Sequence, residues 1–324
     1  MVHNHSAGGH GFNITSLFGN SHSTIAIGRE GYWGPVTSTL DWCEENYEVL
    51  PMIAEMWNAS TNIFFLLWPL VGIYSAYKTR SERRYYASYA ALMLVGTGSF
   101  LFHGTLTYTM QLLDELPMML ATCIFVYTHI QMFATKPSPK TILAMACVFL
   151  GVTASYLLLK TPILFQLAFI TLTLVQVGLG IKNIHTISRT HKHESRVLYS
   201  MIALSVGAIL FAFTLWNVDQ VHCGALQGTR NAVGYPFRVG LELHAWWHVL
   251  SGFAGYVGVV GAQYCRLLAL GRADVRVAVW AGVLPVLVVV EEAADQKDEA
   301  GGKQLAAAIK RPLTRSRTSK SKRA

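Results

Sequence analysis

The chain has 324 residues, 52% of them hydrophobic and only 14% charged, with a mean hydropathy of +0.36. Soluble domains carry about 25% charged residues, so an ordinary soluble protein is excluded. The net charge of +8 does not mark a nucleic-acid partner, because the positive charge sits in short loops and the C-terminal tail, where topology and anionic lipid account for it.

In chain order, residues 1–30 read as a disordered N-terminal extension. Its histidines (His3, His5, His10, His22) read as solvated, and Asn4 and Asn13 open glycosylation sequons. No cleavable signal peptide is visible. Residues 31–56 form an acidic juxtamembrane segment with Asp41, Glu44, Glu45, Asn46 and Glu55. Hard oxygens packed this densely suit calcium, which takes about 6–8 of them; a solvated acidic stretch remains the alternative, since the spacing is not that of an EF-hand loop.

Seven apolar blocks of spanning length follow, at 57–77, 85–105, 116–134, 141–159, 162–181, 198–216 and 241–264. In lipid such runs must be helices, because backbone polar groups find no water there. The fold class is therefore an all-α membrane protein with seven transmembrane helices and a catalytic domain over 57–265. Residues 266–324 read as a basic cytosolic tail that includes an apolar stretch at 277–290, too short to span.

The loops set the orientation. Lys78, Arg80, Arg83, Arg84, Lys136, Lys140, Lys182, Arg189, Lys192 and Arg196 fall on one side, against Arg29, Lys160, Arg230 and Arg238 on the other. By the positive-inside rule the N-terminus is lumenal or outside and the C-terminus cytosolic.

Ionisable residues within membrane helices are costly and point to function. Ser99 and His103 lie four apart on the second span, as do His244 and His248 at the start of the seventh, and Asp114 lies at the mouth of the third. Four-residue spacing puts each pair on one helix face, and the topology puts all five residues at one membrane face. Three neutral imidazoles suit zinc with a fourth position left for water, whose pKa zinc lowers to about 7. Asp114 then serves as general base and acid, and Ser99 as a donor to an oxyanion. Cys43 and Cys223 both fall on the outer side, in an oxidising compartment if lumenal, and are expected to pair.

The stretches Gly31–Pro35, Asp41–Tyr47, Ser99–His103, Asp114–Glu115, Trp216–Asp219 and Glu242–His248 together resemble the alkaline ceramidases, of a fungal type. The resemblance runs from about Gly31 to about Tyr264. It implies an intramembrane amidase that takes ceramide or phytoceramide from the bilayer and releases a sphingoid base and a fatty acid, in the endoplasmic reticulum or Golgi membrane. It also implies zinc on His103, His244 and His248, catalysis by Ser99 and Asp114, and calcium on Asp41, the Trp42 carbonyl, Glu44, Asn46 and Glu55. Cys43 and Cys223 match the family disulfide. Membrane lipid is the other partner expected, and no nucleic acid. An adiponectin-receptor-like zinc protein and a non-catalytic heptahelical transporter are the alternatives; the Asp41 to Tyr47 motif favours the ceramidases.

Overall fold

The computed structural model describes residues 30–159 and 162–290. The N-terminal histidines, both sequons, Lys160 and the basic tail lie outside the described residues. A two-residue hairpin, β1 (Glu30–Gly31) and β2 (Gly34–Pro35), opens the chain, followed by α1 (Met56–Thr61), α2 (Phe64–Lys78), α3 (Arg83–Thr105), α4 (Tyr108–Ile130), α5 (Pro139–Leu159) and α6 (Pro162–Ile187). Then come α7 (Lys192–Val221), the short α8 (Cys223–Val233), a 3-10 turn (Phe237–Leu241), α9 (Leu243–Ala269) and a second hairpin, β3 (Val275–Trp280) with β4 (Leu284–Val289).

Among the described residues, five stretches (Met56–Lys78, Tyr108–Ile130, Pro139–Leu159, Ile163–Ile187, Lys192–Val221) are long and apolar enough to cross a membrane by length and composition. The protein is a mostly helical membrane protein. α3 and α9, which carry the three central histidines, are the most enclosed of the long helices, whereas α5 has one fully buried side chain, Tyr156. α3 packs on α4 and α2, and α9 on α7 and α2. At one end of the bundle the buried Arg266 of α9 donates to the Met132 and Ala134 carbonyls (2.7 and 2.9 Å) and to Glu82 (2.8 Å). It thereby satisfies carbonyls just beyond α4 that no helical turn can reach.

Three expectations are corrected. The all-α class omits both hairpins. α4 begins at Tyr108 rather than 116, so Asp114 lies in its second turn rather than at its mouth; an apolar block cannot register two opening turns that carry Gln111, Asp114 and Glu115. The apolar stretch at 277–290 is not part of a loose tail: α9 runs on to Ala269 and the hairpin packs against α2 and α9.

An open strand edge beside apolar helices needs partners for its backbone groups. The Ser75 hydroxyl of α2 donates to the Leu287 carbonyl (2.8 Å) and accepts from the Leu287 amide (2.9 Å), and Tyr256 of α9 donates to the Pro285 carbonyl (2.7 Å). Pro285 has no amide to satisfy, so this stretch of the β4 edge is fully paired.

Candidate metal centre

His103 stands in the last turn of α3, and His244 and His248 in the first turns of α9, all three buried. One ring nitrogen from each lies within 4.8 Å of the others. His103 Nε2 and His244 Nδ1 are buried with no hydrogen-bond partner among the described residues, a costly arrangement that a metal ion at their meeting point resolves. Three imidazoles form a donor set suited to zinc, and the residues present fit it.

The supporting contacts have the pattern metal-ligating histidines require, in which the second ring nitrogen is held by a carboxylate or carbonyl. Glu55 is hydrogen-bonded to His103 Nδ1. His248 bonds to the Asn58 backbone, and its Nδ1 lies 3.3 Å from the Thr61 hydroxyl. Trp42 stacks on His244, with ring centroids 3.8 Å apart and planes at 18°.

Ser99 Oγ lies 3.4 Å from His248 Nε2 and is also hydrogen-bonded to Asp114. Gly98 makes this possible. A Cβ there would stand 1.9 Å from the Leu113 carbonyl oxygen, so only glycine lets α3 approach α4 closely enough for Ser99 to meet Asp114. Both residues, with His244 and His248, open onto a cavity of about 260 Å³ that continues between α4, α6, α7 and α9 past Phe125, Phe169 and Ile209. The walls beyond the polar head are mostly apolar.

The acidic segment lies against the histidines. Thr37 and Ser38 donate to the Leu106 carbonyl at the α3–α4 turn (3.2 and 3.1 Å), and Ala54 and Glu55 to the Gly104 and His103 carbonyls. Both Glu44 oxygens accept first-turn amides of α1, from Trp57 (2.7 Å) and Asn58 (2.8 Å). Asn46 donates to Asp41 (3.2 Å) and leaves its own Oδ1 buried without a partner among the described residues. Burial raises the Asp41 carboxyl; burial and the Glu55 charge lift Glu44 to about 8; burial and Asp41 push Glu55 well above the usual range. For these carboxyls burial outweighs the compensation they receive, which for Glu44 includes two backbone amides and the Arg230 charge.

The Cys43–Cys223 disulfide joins this segment to α8, as expected. Arg230 and Asp219 had no site role in the sequence reading. Arg230, fully buried, donates to Glu242 and to the Cys43 carbonyl, both at 2.5 Å. Asp219 accepts the Cys43 amide (3.4 Å) and is bonded to the His244 backbone, so it ties the first turn of α9 to the disulfide. Arg238 pins Glu48 (2.6 Å) and Glu45 (3.3 Å). A signal was present: Arg230 and Arg238 are basic residues on the face that carries few.

Comparison with known proteins assigns the family. The family profile named Ceramidase matches residues 34–289. The chain belongs to the ceramidase family. Among curated ceramidases it is 40% identical to alkaline ceramidase 3 of Mus musculus over 247 residues, covering 76% of this chain and 90% of that one. It is 34% identical to alkaline ceramidase YPC1 of Saccharomyces cerevisiae over 254 residues (74% and 80%) and 28% identical to an alkaline ceramidase of Arabidopsis thaliana over 267 (82% and 98%). The ceramidase match takes in the whole second hairpin, and with it the strand edge held by Ser75 and Tyr256.

Proposed function

We propose that this chain is a zinc-dependent intramembrane amidase that hydrolyses the amide bond of ceramide or phytoceramide to a sphingoid base and a free fatty acid. The observation that carries this reading is the convergence of three buried imidazoles, two with orphaned nitrogens, at the head of a largely apolar cavity beside Ser99 and Asp114. Ceramide has one polar amide between two insoluble chains, which matches a cavity polar at one end and apolar beyond it.

His103, His244 and His248 hold the zinc. Zinc bound there supplies Lewis acidity that makes water a competent nucleophile near neutral pH. Asp114 accepts the proton of the attacking water and returns it to the leaving amine. The Ser99 hydroxyl donates to the developing oxyanion. Glu55 and Asn58 hold the imidazoles in orientation, and the apolar walls keep bulk water from the reacting amide.

Asp41, the Trp42 carbonyl, Glu44, Asn46 and Glu55 would hold calcium in the same reading, which balances the buried Glu44 and Glu55 carboxyls and the partly buried Asp41. In the bilayer the seven long helical stretches span, with the metal centre near the lumenal face, the N-terminus lumenal and the C-terminus cytosolic, in the endoplasmic reticulum or Golgi membrane. The loop charges support that orientation.

The test is release of sphingoid base from defined ceramides by the purified protein, with and without added calcium, together with metal analysis. Wild-type protein should hold about one zinc per chain, and His244→Ala should lose both zinc and turnover. Full turnover by a zinc-free His244→Ala protein overturns the assignment.

A further inference from the structure

The head of the cavity holds a second polar corner that the hydrolytic step does not use. Glu115 follows Asp114 on α4, is buried, and lines the cavity together with Gln166 of α6. Glu115 Oε2 is fully engaged: it accepts from the Tyr156 hydroxyl of α5 and from Gln111 Nε2 (3.4 Å). Gln111 is itself fixed by Tyr156 (3.3 Å) and by Thr39 of the N-terminal segment, whose amide donates to its Oε1 (2.8 Å). The other oxygen, Glu115 Oε1, has no partner among the described residues. Gln166 Oε1 is buried and likewise unpartnered. Tyr156 joins the two residues into one corner, because its hydroxyl holds Glu115 while its ring packs on Phe165, the neighbour of Gln166, with centroids 5.4 Å apart.

A buried amide oxygen without a partner, with a carboxyl oxygen left unbonded on the same cavity wall, is expensive in apolar surroundings unless a ligand brings donors. We infer that Glu115 and Gln166 form the subsite that takes the hydroxyl groups of the sphingoid base. The inference rests on the ceramidase reading and deepens it. In a sphingoid base the two hydroxyl-bearing carbons flank the carbon that carries the amide nitrogen. A substrate whose amide meets Asp114 therefore brings both hydroxyls to the head of the cavity, which Glu115 and Gln166 also line. The Tyr156, Gln111 and Thr39 bonds hold the Glu115 carboxyl in place before substrate arrives, so little ordering is left for binding. The corner thus determines specificity for a 1,3-diol head and performs no step of the hydrolysis.

The test compares ceramide with its 1-deoxy and 3-deoxy analogues of identical acyl chain, on the full-length protein and its Glu115→Leu and Gln166→Leu variants. One hydrogen bond to a buried acceptor carries about tenfold to a hundredfold in kcat/KM when the acceptor is charged, and less when it is neutral. Wild-type protein should prefer ceramide to at least one deoxy analogue by such a factor. Each variant should lose ceramide turnover through a raised KM while the matching deoxy analogue is turned over as before, so that the preference collapses. The analogue whose preference collapses identifies the hydroxyl each residue binds. Gln166→Leu changes a residue outside the Glu115 network and keeps the test available where Glu115→Leu does not fold. Equal losses on all substrates, or a preference that neither variant moves, overturn this inference and leave the ceramidase reading intact. Wild-type protein that hydrolyses none of the three overturns the ceramidase reading, and this inference with it.

Discussion

Glu55 is hydrogen-bonded to His103 Nδ1 through one oxygen and to the Trp42 amide (3.2 Å) through the other. A single buried carboxylate thus joins the acidic segment to the histidine cluster. Glu55 is wholly buried, so the acidic segment and His103 share one enclosed carboxylate.

Replacing Glu55 by Gln keeps the shape and removes the charge. Removal of such a supporting group weakens metal affinity or activity by about 10–100-fold. Competition with a zinc chelator should show that loss in Glu55→Gln, and added calcium should no longer raise its turnover. Unchanged zinc affinity would place Glu55 outside the metal centre.

Asp114→Asn preserves volume and hydrogen bonding to Ser99 but cannot accept the proton. General acid–base catalysis contributes about 10²–10⁴-fold, so kcat should fall by that order while the zinc content stays at the wild-type level. Single-turnover kinetics with ceramide measures the first quantity and metal analysis the second.

Gly98→Ala adds a methyl group that meets the Leu113 backbone. Overpacking of this kind costs about 1–3 kcal/mol, and the relief moves α3 away from α4 and Ser99 away from Asp114. Thermal unfolding should show the stability loss, and turnover should fall by more than the unfolded fraction accounts for.

Cys223→Ser removes a cross-link between residues 180 positions apart. Loss of a native disulfide costs about 2–5 kcal/mol. Tm should drop accordingly, and a reductant should lower the Tm of wild-type protein but not that of the variant.

Partial burial pushes the Glu82 carboxyl up, but hydrogen bonds from Arg266 and Arg84 outweigh it and set its pKa below the usual value. A depressed folded-state pKa contributes stability that is present above the unfolded value and lost as pH falls through the folded one. Glu82→Gln should therefore unfold more easily than wild type at neutral pH, by about 1–2 kcal/mol for hydrogen bonds to a charged partner. Unfolding curves of the two proteins should converge only as pH falls below the depressed folded-state value, where both are uncharged at this position.

The histidine cluster was legible because it is written in local patterns. His244 and His248 share a face at four-residue spacing, His103 closes an apolar helix, and polar residues stand out where the surrounding composition forbids them. The loop charges supplied an orientation that put these residues at one end before any contact was known. Apolar block lengths located each long helix, but α6, α7 and α9 run five or six residues beyond their blocks, and the polar residues Gln111, Asp114 and Glu115 hid the start of α4.

Other features depended on contacts between residues far apart in the chain. A short apolar run does not say whether it is strand or helix; the 275–289 stretch becomes a paired edge because Ser75, 212 residues away from Leu287, supplies its hydrogen bonds. Arg230 read as a loop charge, and it is buried because the Cys43 carbonyl, 187 residues distant, and Glu242 accept its protons. The sequence by itself determined which helices form and which side chains can bind a metal, since periodicity and donor chemistry are local. The tertiary structure alone decided which buried polar atoms find a partner and which, like His103 Nε2 and Gln166 Oε1, find none among the described residues, because satisfaction of a buried group is a property of its three-dimensional neighbours.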